Sequence, residues 1–555
     1  MLGQSTSAYR CPRPAEGSVV TSPHEIRSHR GVLRVALALR SSVESSGEVR
    51  YCYVDENGNQ SPTLRLAPGD LLVLRLKNEL PNLDRSSSMN PGGDKHNNCA
   101  ANMAAMDLQG AVTNLHFHGL TIAPSCHQDD VLHTALSAGA KAFEYRFRIP
   151  VSQPPGLYWY HPHPHGHSEE QVLGGASGVL VVEGAERFNH LLAGLPERIL
   201  VIRDKIKTST EVSRVNPKPP SKDLSVNFVP VPYPNYPPAI IETKPSQREL
   251  WRVLNASADT FVELHMLMKG KWQSMGLVSV DGVPFGYPVS NSENIEWRQD
   301  IPIPPGGRAE FLFDTPPQGS EASLLTSGVD TVPPQQDDDD LNLLAPGSNP
   351  IVDDDDYTPP RWIAKVVSSM DAAEPAAVTP RSTVLIAKQT RPALMGVKPV
   401  RERKLYFSEK IIDAKSPRTS TAFYITEEGH EPAVFDPAAA PNITVRSGDV
   451  EDWIIENRSQ EIHTFHIHQT HFILLERDNT AVDELYLRDS VTLPYWDGIS
   501  KYPSIKLRMD FRDPAIVGTF PYHCHILQHE DGGMMGTIRV LRRVTDKNST
   551  QLSKP

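Results

Sequence analysis

Short runs in which apolar and polar residues alternate recur along the whole chain. SPTLRLAPGDLLVLRLKN (61–78) is representative, with Leu and Val on every second position around a Pro-Gly-Asp break. A period of two is that of a strand with one buried face. Helix-period patterns of useful length are hard to find, and 49 prolines and 35 glycines punctuate the runs. The pattern predicts an all-β chain built of sandwich-like or barrel-like units.

The same pattern repeats. APNITVRSGDVEDWIIEN (440–457) carries Gly-Asp, an alternating run and Asn at the spacing of 61–78. A weaker copy, KPSQRELWRVLN (244–255), has Ser246 and Gln247 where the others have Gly-Asp. Each copy reads as a turn leading into a strand, so three related β-domains are expected, with limits near 25–185, 186–375 and 376–545. A length of 555 residues agrees with several domains rather than one core. The segment 332–360 holds two four-Asp runs among prolines and reads as a solvated loop or linker in the second domain.

Charge and composition narrow the function classes. A net charge of −12 with no basic block argues against nucleic acid as the main partner. No apolar run reaches the length of a membrane-spanning helix. The start, MLGQSTSAYRCP, lacks the basic-then-apolar pattern of a secretory signal, so either a cytosolic location or a removed signal is expected. Cys11, Cys52, Cys99 and Cys126 crowd the first quarter, where they form disulfides in one of three pairings or remain buried thiols. Cys524 stands apart from them.

Chemistry enters with four His-x-His pairs: His116/His118 in NLHFHGL, His161/His163 in YWYHPH, His466/His468 in HTFHIH, and His523/His525 in YHCHILQHEDGGMM. On a strand, residues i and i+2 share a face, so each pair offers two imidazoles side by side, half of a metal site. Two pairs come from the first expected domain and two from the third, which predicts a shared site where those domains meet. A single such pair is more often a satisfied histidine, but four in apolar, strand-like runs are hard to explain that way. Imidazole alone does not select among zinc, copper, iron and nickel. Cys524 does: a thiolate with His529, a second imidazole from His463 and a thioether from Met534 matches a blue-copper electron-transfer ligand set. A cysteine-protease reading leaves the other pairs unused. A structural zinc site would recruit more cysteine and no methionine.

NLHFHGL, YWYHPH, HTFHIH and HCHILQHEDGGMM resemble the four copper-binding motifs of the multicopper oxidases, the family of laccases and related enzymes, over about residues 25–542. The ILQHEDGGMM stretch is closer to bacterial members. The resemblance implies three cupredoxin-like domains and four copper ions. His116 and His466 are implied for type 2 copper, and His118, His161, His163, His468, His523 and His525 for the type 3 pair. His463, Cys524, His529 and Met534 are implied for type 1. The implied reaction couples one-electron oxidations of a reducing substrate to reduction of dioxygen to water. A methionine axial ligand favours easily oxidised donors: phenols, aromatic amines or metal ions. Asp129, in HQDDVL, and Glu530 stand where the family places proton-handling acids, with Asp130 leaving the first choice open. His165, His167 and His471 are surplus to the ligand set, and His471 is expected to pack behind the cluster. The alternatives are a cuprous or manganese oxidase, which needs an acidic or methionine-bearing ion site beside His463 or His529, and a copper-binding protein without activity. A periplasmic or secreted location is implied by the family, with the cytoplasm as the alternative.

Overall fold

The computed structural model describes residues 11–44, 47–81, 99, 111–206, 222–233, 237–288, 294–333, 357–378, 393–412, 421–484 and 486–543. Their regular elements are strands apart from short helical turns, so the all-β expectation is met. Three pairs of sheets follow one another along the chain. A five-stranded and a four-stranded sheet use residues 25–182; an eight-stranded and a six-stranded sheet use 197–368; a seven-stranded and a five-stranded sheet use 401–541.

The repeat seen in sequence is real backbone geometry. In each unit the copy is a strand, a turn and a second strand: Thr63–Leu66 into Leu71–Asn78, Ala239–Thr243 into Arg248–Asn255, and Ile443–Arg446 into Asp449–Asn457. The second strand then pairs in parallel with an earlier one, Val32–Val43, Glu197–Ile206 or Arg401–Ile411. Gly69 and Gly448 turn with φ of 92° and 98°, and Ser246 adopts φ 52° at the equivalent place. The weak copy therefore keeps the left-handed turn without the glycine that normally relieves it.

Each unit fills its own core between its two sheets, the largest buried residues including Tyr53 and Phe117, Trp251 and Phe311, and Trp453 and Phe511. Smaller clusters join the units. Leu157 and Trp159 pack on Ile199 and Leu254, and Val172 and Leu173 meet Ala258 and Leu527. The latter cluster brings the two short helices Ser168–Leu173 and Leu527–Asp531 against the middle unit, just below the site.

All four early cysteines are oxidised, as Cys11–Cys52 and Cys99–Cys126. Most of the acidic segment 332–360 lies outside the described residues. No helix among the described residues is long and apolar enough to cross a membrane.

Candidate metal centre

Strand pairing explains how distant motifs meet. His116–His118 is the edge strand of its sheet and pairs antiparallel with Gly156–His161, setting His116 opposite His161. In the last unit His463–Ile467 pairs with Gly518–Cys524, setting His466 opposite His523. The two strand pairs face each other so that the His116 ring stacks on His468 at 3.8 Å and the His118 ring on His466 at 3.9 Å.

Ligand-type atoms then converge in distinct groups: His116, His118 and His466; His118, His161 and His525; His163, His468 and His523; and His463, Cys524 and His529. Every one of these residues is buried. All eight histidines of the four pairs are thus gathered at one interface, and Cys524 lies in a separate group to one side. His463 Nδ1 and His529 Nδ1 are 3.6 and 3.7 Å from Cys524 Sγ. Met534 is buried in the same core, and its carbonyl accepts a hydrogen bond from Cys524 N at 3.1 Å.

The hydrogen bonds select which ring nitrogen is available. His116 Nδ1 donates to Asp129 at 2.9 Å, His161 Nδ1 to the Pro162 carbonyl at 2.9 Å, and His466 Nδ1 to the Asp489 carbonyl at 2.8 Å. The Nε2 atoms of these three are buried without a partner. His523 Nδ1 donates to the Cys524 carbonyl at 2.8 Å, while its Nε2 faces His468 Nε2 at 3.1 Å and His163 Nε2 at 3.3 Å. His463 Nε2 donates to Ser459 Oγ at 2.6 Å, and His529 Nε2 to Glu461 at 3.0 Å. Orphaned lone pairs that point at one another, each backed by an oxygen acceptor on the far side of the ring, are the donor set of a metal centre. Burial, then the neighbouring imidazoles, hold His118, His161, His163, His468 and His523 far below the ordinary histidine value, and burial takes His525 to about 3. Neutral rings are the ligating form. The residues present fit copper: imidazoles at the interface, and imidazoles with a thiolate and a nearby thioether beside it.

Of the two candidate acids, Asp129 bonds His116, the amide of Phe117 (2.9 Å) and Gln469, whereas Asp130 turns away to His133. Glu530 is fully buried, with Oε2 3.2 Å from His523 Nδ1 and Oε1 3.5 Å from His163 Nε2. Burial, then Asp531, pushes its carboxyl well above the usual range. His165 packs on Phe435, and His167 meets Glu170. His471 is buried with Nε2 3.8 Å from Asp489 Oδ2, behind the cluster.

Sequence reasoning missed the contribution of the middle unit. Arg308, fully buried, grips Asp489 with Nη1 and Nη2 at 2.8 and 2.5 Å. Asp489 in turn accepts from His118 Nε2 at 3.2 Å, which leaves Nδ1 of that ring facing His525. Asp281 holds the loop from below, accepting from the amides of Arg308, Asp489 and Ser490. A unit with no histidine in the cluster thus fixes the tautomer of one ring through its arginine. Only the Arg-Asp separation of 181 residues had to be bridged by folding, and no motif marks either residue. Gly306, at φ 79°, lies so close that a Cβ would sit 2.6 Å from His525 Nε2. Gly306→Ala is therefore expected to displace that ring and to lower copper content in the eight-histidine cluster, measured by metal analysis, while the visible band of the Cys524 site remains.

A family model described as multicopper oxidase matches residues 107–187, and a second with the same description matches 412–543. The chain belongs to the multicopper oxidase family. A multicopper oxidase of Staphylococcus haemolyticus is 24% identical over 495 residues, covering 87% of this chain and 83% of the relative. An iron transport multicopper oxidase of Gibberella zeae is 25% identical, over 78% of this chain and 68% of the relative. Among solved structures, a Campylobacter jejuni multicopper oxidase described as a metallo-oxidase superposes with a TM-score of 0.65 at 21% identity, covering 96% of each chain. The three sheet pairs are accordingly three cupredoxin-like domains, and the enzyme is a copper-dependent oxidoreductase that uses dioxygen.

Proposed function

We propose that this oxidase takes single electrons from small reducing substrates such as phenols and aromatic amines at His463, Cys524, His529 and Met534, which hold type 1 copper. In the same proposal His116 and His466 hold type 2 copper, and His118, His161, His163, His468, His523 and His525 hold the type 3 pair. Bound copper supplies one-electron redox steps and, at the cluster, the four-electron reduction of dioxygen to water. The observation that carries the reading is the strand Gly518–Cys524: His523 and Cys524 are adjacent, yet one lies in the histidine cluster and the other in the His463–His529 group. Strand alternation gives the tripeptide His523–Cys524–His525 two faces, and its covalent bonds span the two centres. Asp129 keeps His116 in the tautomer that frees Nε2, and Glu530 holds a proton beside His163 and His523. The two disulfides support an oxidising compartment, periplasmic or extracellular.

One observation favours metal-ion donors as a second reading. Glu461 touches His529 Nε2 at 3.0 Å and is partly exposed, and Glu409 lies beside it with Oε2 buried and unbonded. Burial, then the Glu461 charge, pushes Glu409 up to about 8. Carboxylate oxygens suit manganese and other hard cations, whereas a neutral phenol gains little from them. Oxygen uptake measured with a phenol, with Mn(II) and with Cu(I) separates the readings, and no uptake with any donor in the copper-loaded protein would sink both. If the metal reading holds, Glu461→Gln raises KM for Mn(II) about tenfold, the loss of one charge-assisted contact, and raises KM for a neutral phenol far less.

A further inference from the structure

Between the second and third domains lies a partly open cleft of about 130 Å³, well beyond the roughly 10–15 Å³ that a single water needs. Its lining is unusual for an acidic protein: Arg298, Arg308, Arg477 and Arg488 against Asp281 and Glu484. Arg308 is committed to Asp489, and Asp281 to the backbone amides of its neighbours. That leaves three guanidinium groups and one carboxylate. Glu484 satisfies only Nη2 of Arg488, at 2.7 Å. Arg488 is 7% exposed, and its Nε is buried with no acceptor. Arg477 Nη1 donates to the Thr492 carbonyl at 3.0 Å, and among the described residues Arg477 has no carboxylate partner. Arg298 has only long contacts, 3.4 Å to Glu296 and 3.8 Å to Asp300.

We propose that this cleft is a binding site for a tetrahedral oxoanion of the phosphate or sulfate type, held by Arg298 from the second domain and by Arg477 and Arg488 from the third. Guanidinium forks match such oxygens in pairs, and a buried donor without an acceptor is costly until one arrives. Burial and then the Arg488 charge lower the pKa of Arg477, only partly offset by Glu484, Tyr486 and Asp478. The anion would close the cleft between two domains and brace the strand that begins at Ser490, directly after Asp489, so occupancy would tie the domain interface to the residue that orients His118. The site is separate from the copper ligands and does not depend on which donor the oxidase uses.

Titration of inorganic phosphate into the copper-loaded full chain at constant ionic strength tests this, with calorimetry and thermal unfolding as readouts. Saturable binding of one phosphate per chain with a rise in Tm is expected, with sulfate competing. Arg477→Gln should weaken the affinity at least about tenfold, with Arg477→Lys recovering part of it, whereas Arg75→Gln on the exposed surface should not. Absence of saturable binding up to millimolar phosphate overturns the proposal, as does equal affinity in Arg477→Gln. Should Arg477→Gln lose the visible absorption that reports an intact fold, Arg298→Gln decides on the same two criteria.

Discussion

Replacing Cys524 by serine should abolish the intense visible absorption near ~600 nm and bring oxygen uptake to background with every donor, while the eight-histidine cluster still takes up copper. The exchange is nearly isosteric. Cys524 is fully buried, and its sulfur has two imidazole nitrogens at 3.6 and 3.7 Å, so the change removes the thiolate and little else. A buried hydroxyl in place of the thiol costs about 1–3 kcal/mol if it stays unpaired, and here the nitrogens of His463 and His529 can accept from it. Loss of colour and uptake without unfolding therefore assigns Cys524 as ligand and electron conduit. Two outcomes would refute that assignment: a surviving visible band, or uptake within a few fold of the parent enzyme. The cluster supplies the internal control, because its ligands are backed by acceptors independent of Cys524 Sγ, such as Asp129 and the Asp489 carbonyl.

How much of this was legible before folding depends on the range over which each signal acts. Strand alternation is local, so the His-x-His pairs, the placement of Cys524 between two imidazoles and the three turn-strand repeats could all be read from the chain. Even the weak repeat at Ser246 was aligned to the residue that adopts the left-handed turn. Asp129 was separable from Asp130 only in three dimensions, because adjacent residues on an irregular loop carry no periodicity that says which faces His116. Arg308, Asp489 and Gly306 were beyond reach for a different reason. Their roles arise where the middle domain presses on the other two, and nothing in PPGGRAE or LRDSV departs from ordinary turn and strand sequence. Glu409 and Glu461 belong to the same class: two acids 52 positions apart that become neighbours only when Arg401–Ile411 and the segment before His463 fold over one core. The pairing of the early cysteines was likewise open until the fold brought Cys11 to Cys52 and Cys99 to Cys126.

Glu530→Gln should lower kcat by about two orders of magnitude, the lower end of what a positioned proton donor contributes, with copper content and the visible band retained. Reduction of dioxygen to water consumes protons inside a site from which solvent is excluded: the eight cluster histidines and Glu530 are all buried. Glu530 is set against rings from two domains, His163 of the first and His523 of the third. Glutamine keeps the size and the hydrogen-bonding reach of the side chain but cannot release a proton, so a loss confined to kcat points to proton supply rather than packing. The split between kinetic constants matters here. In the proposed reading electron donors meet the enzyme at the His529 end, so KM for the reducing substrate should stay within about twofold, as expected when only a later step is slowed. Glu530→Asp, which keeps the acid but shortens its reach, should fall between parent and glutamine. If Glu530→Gln instead loses copper from the cluster, Glu530 acts by holding His163 and His523 in place, and the proton must come from elsewhere. If it keeps both copper and full turnover, Glu530 has no part in the reaction.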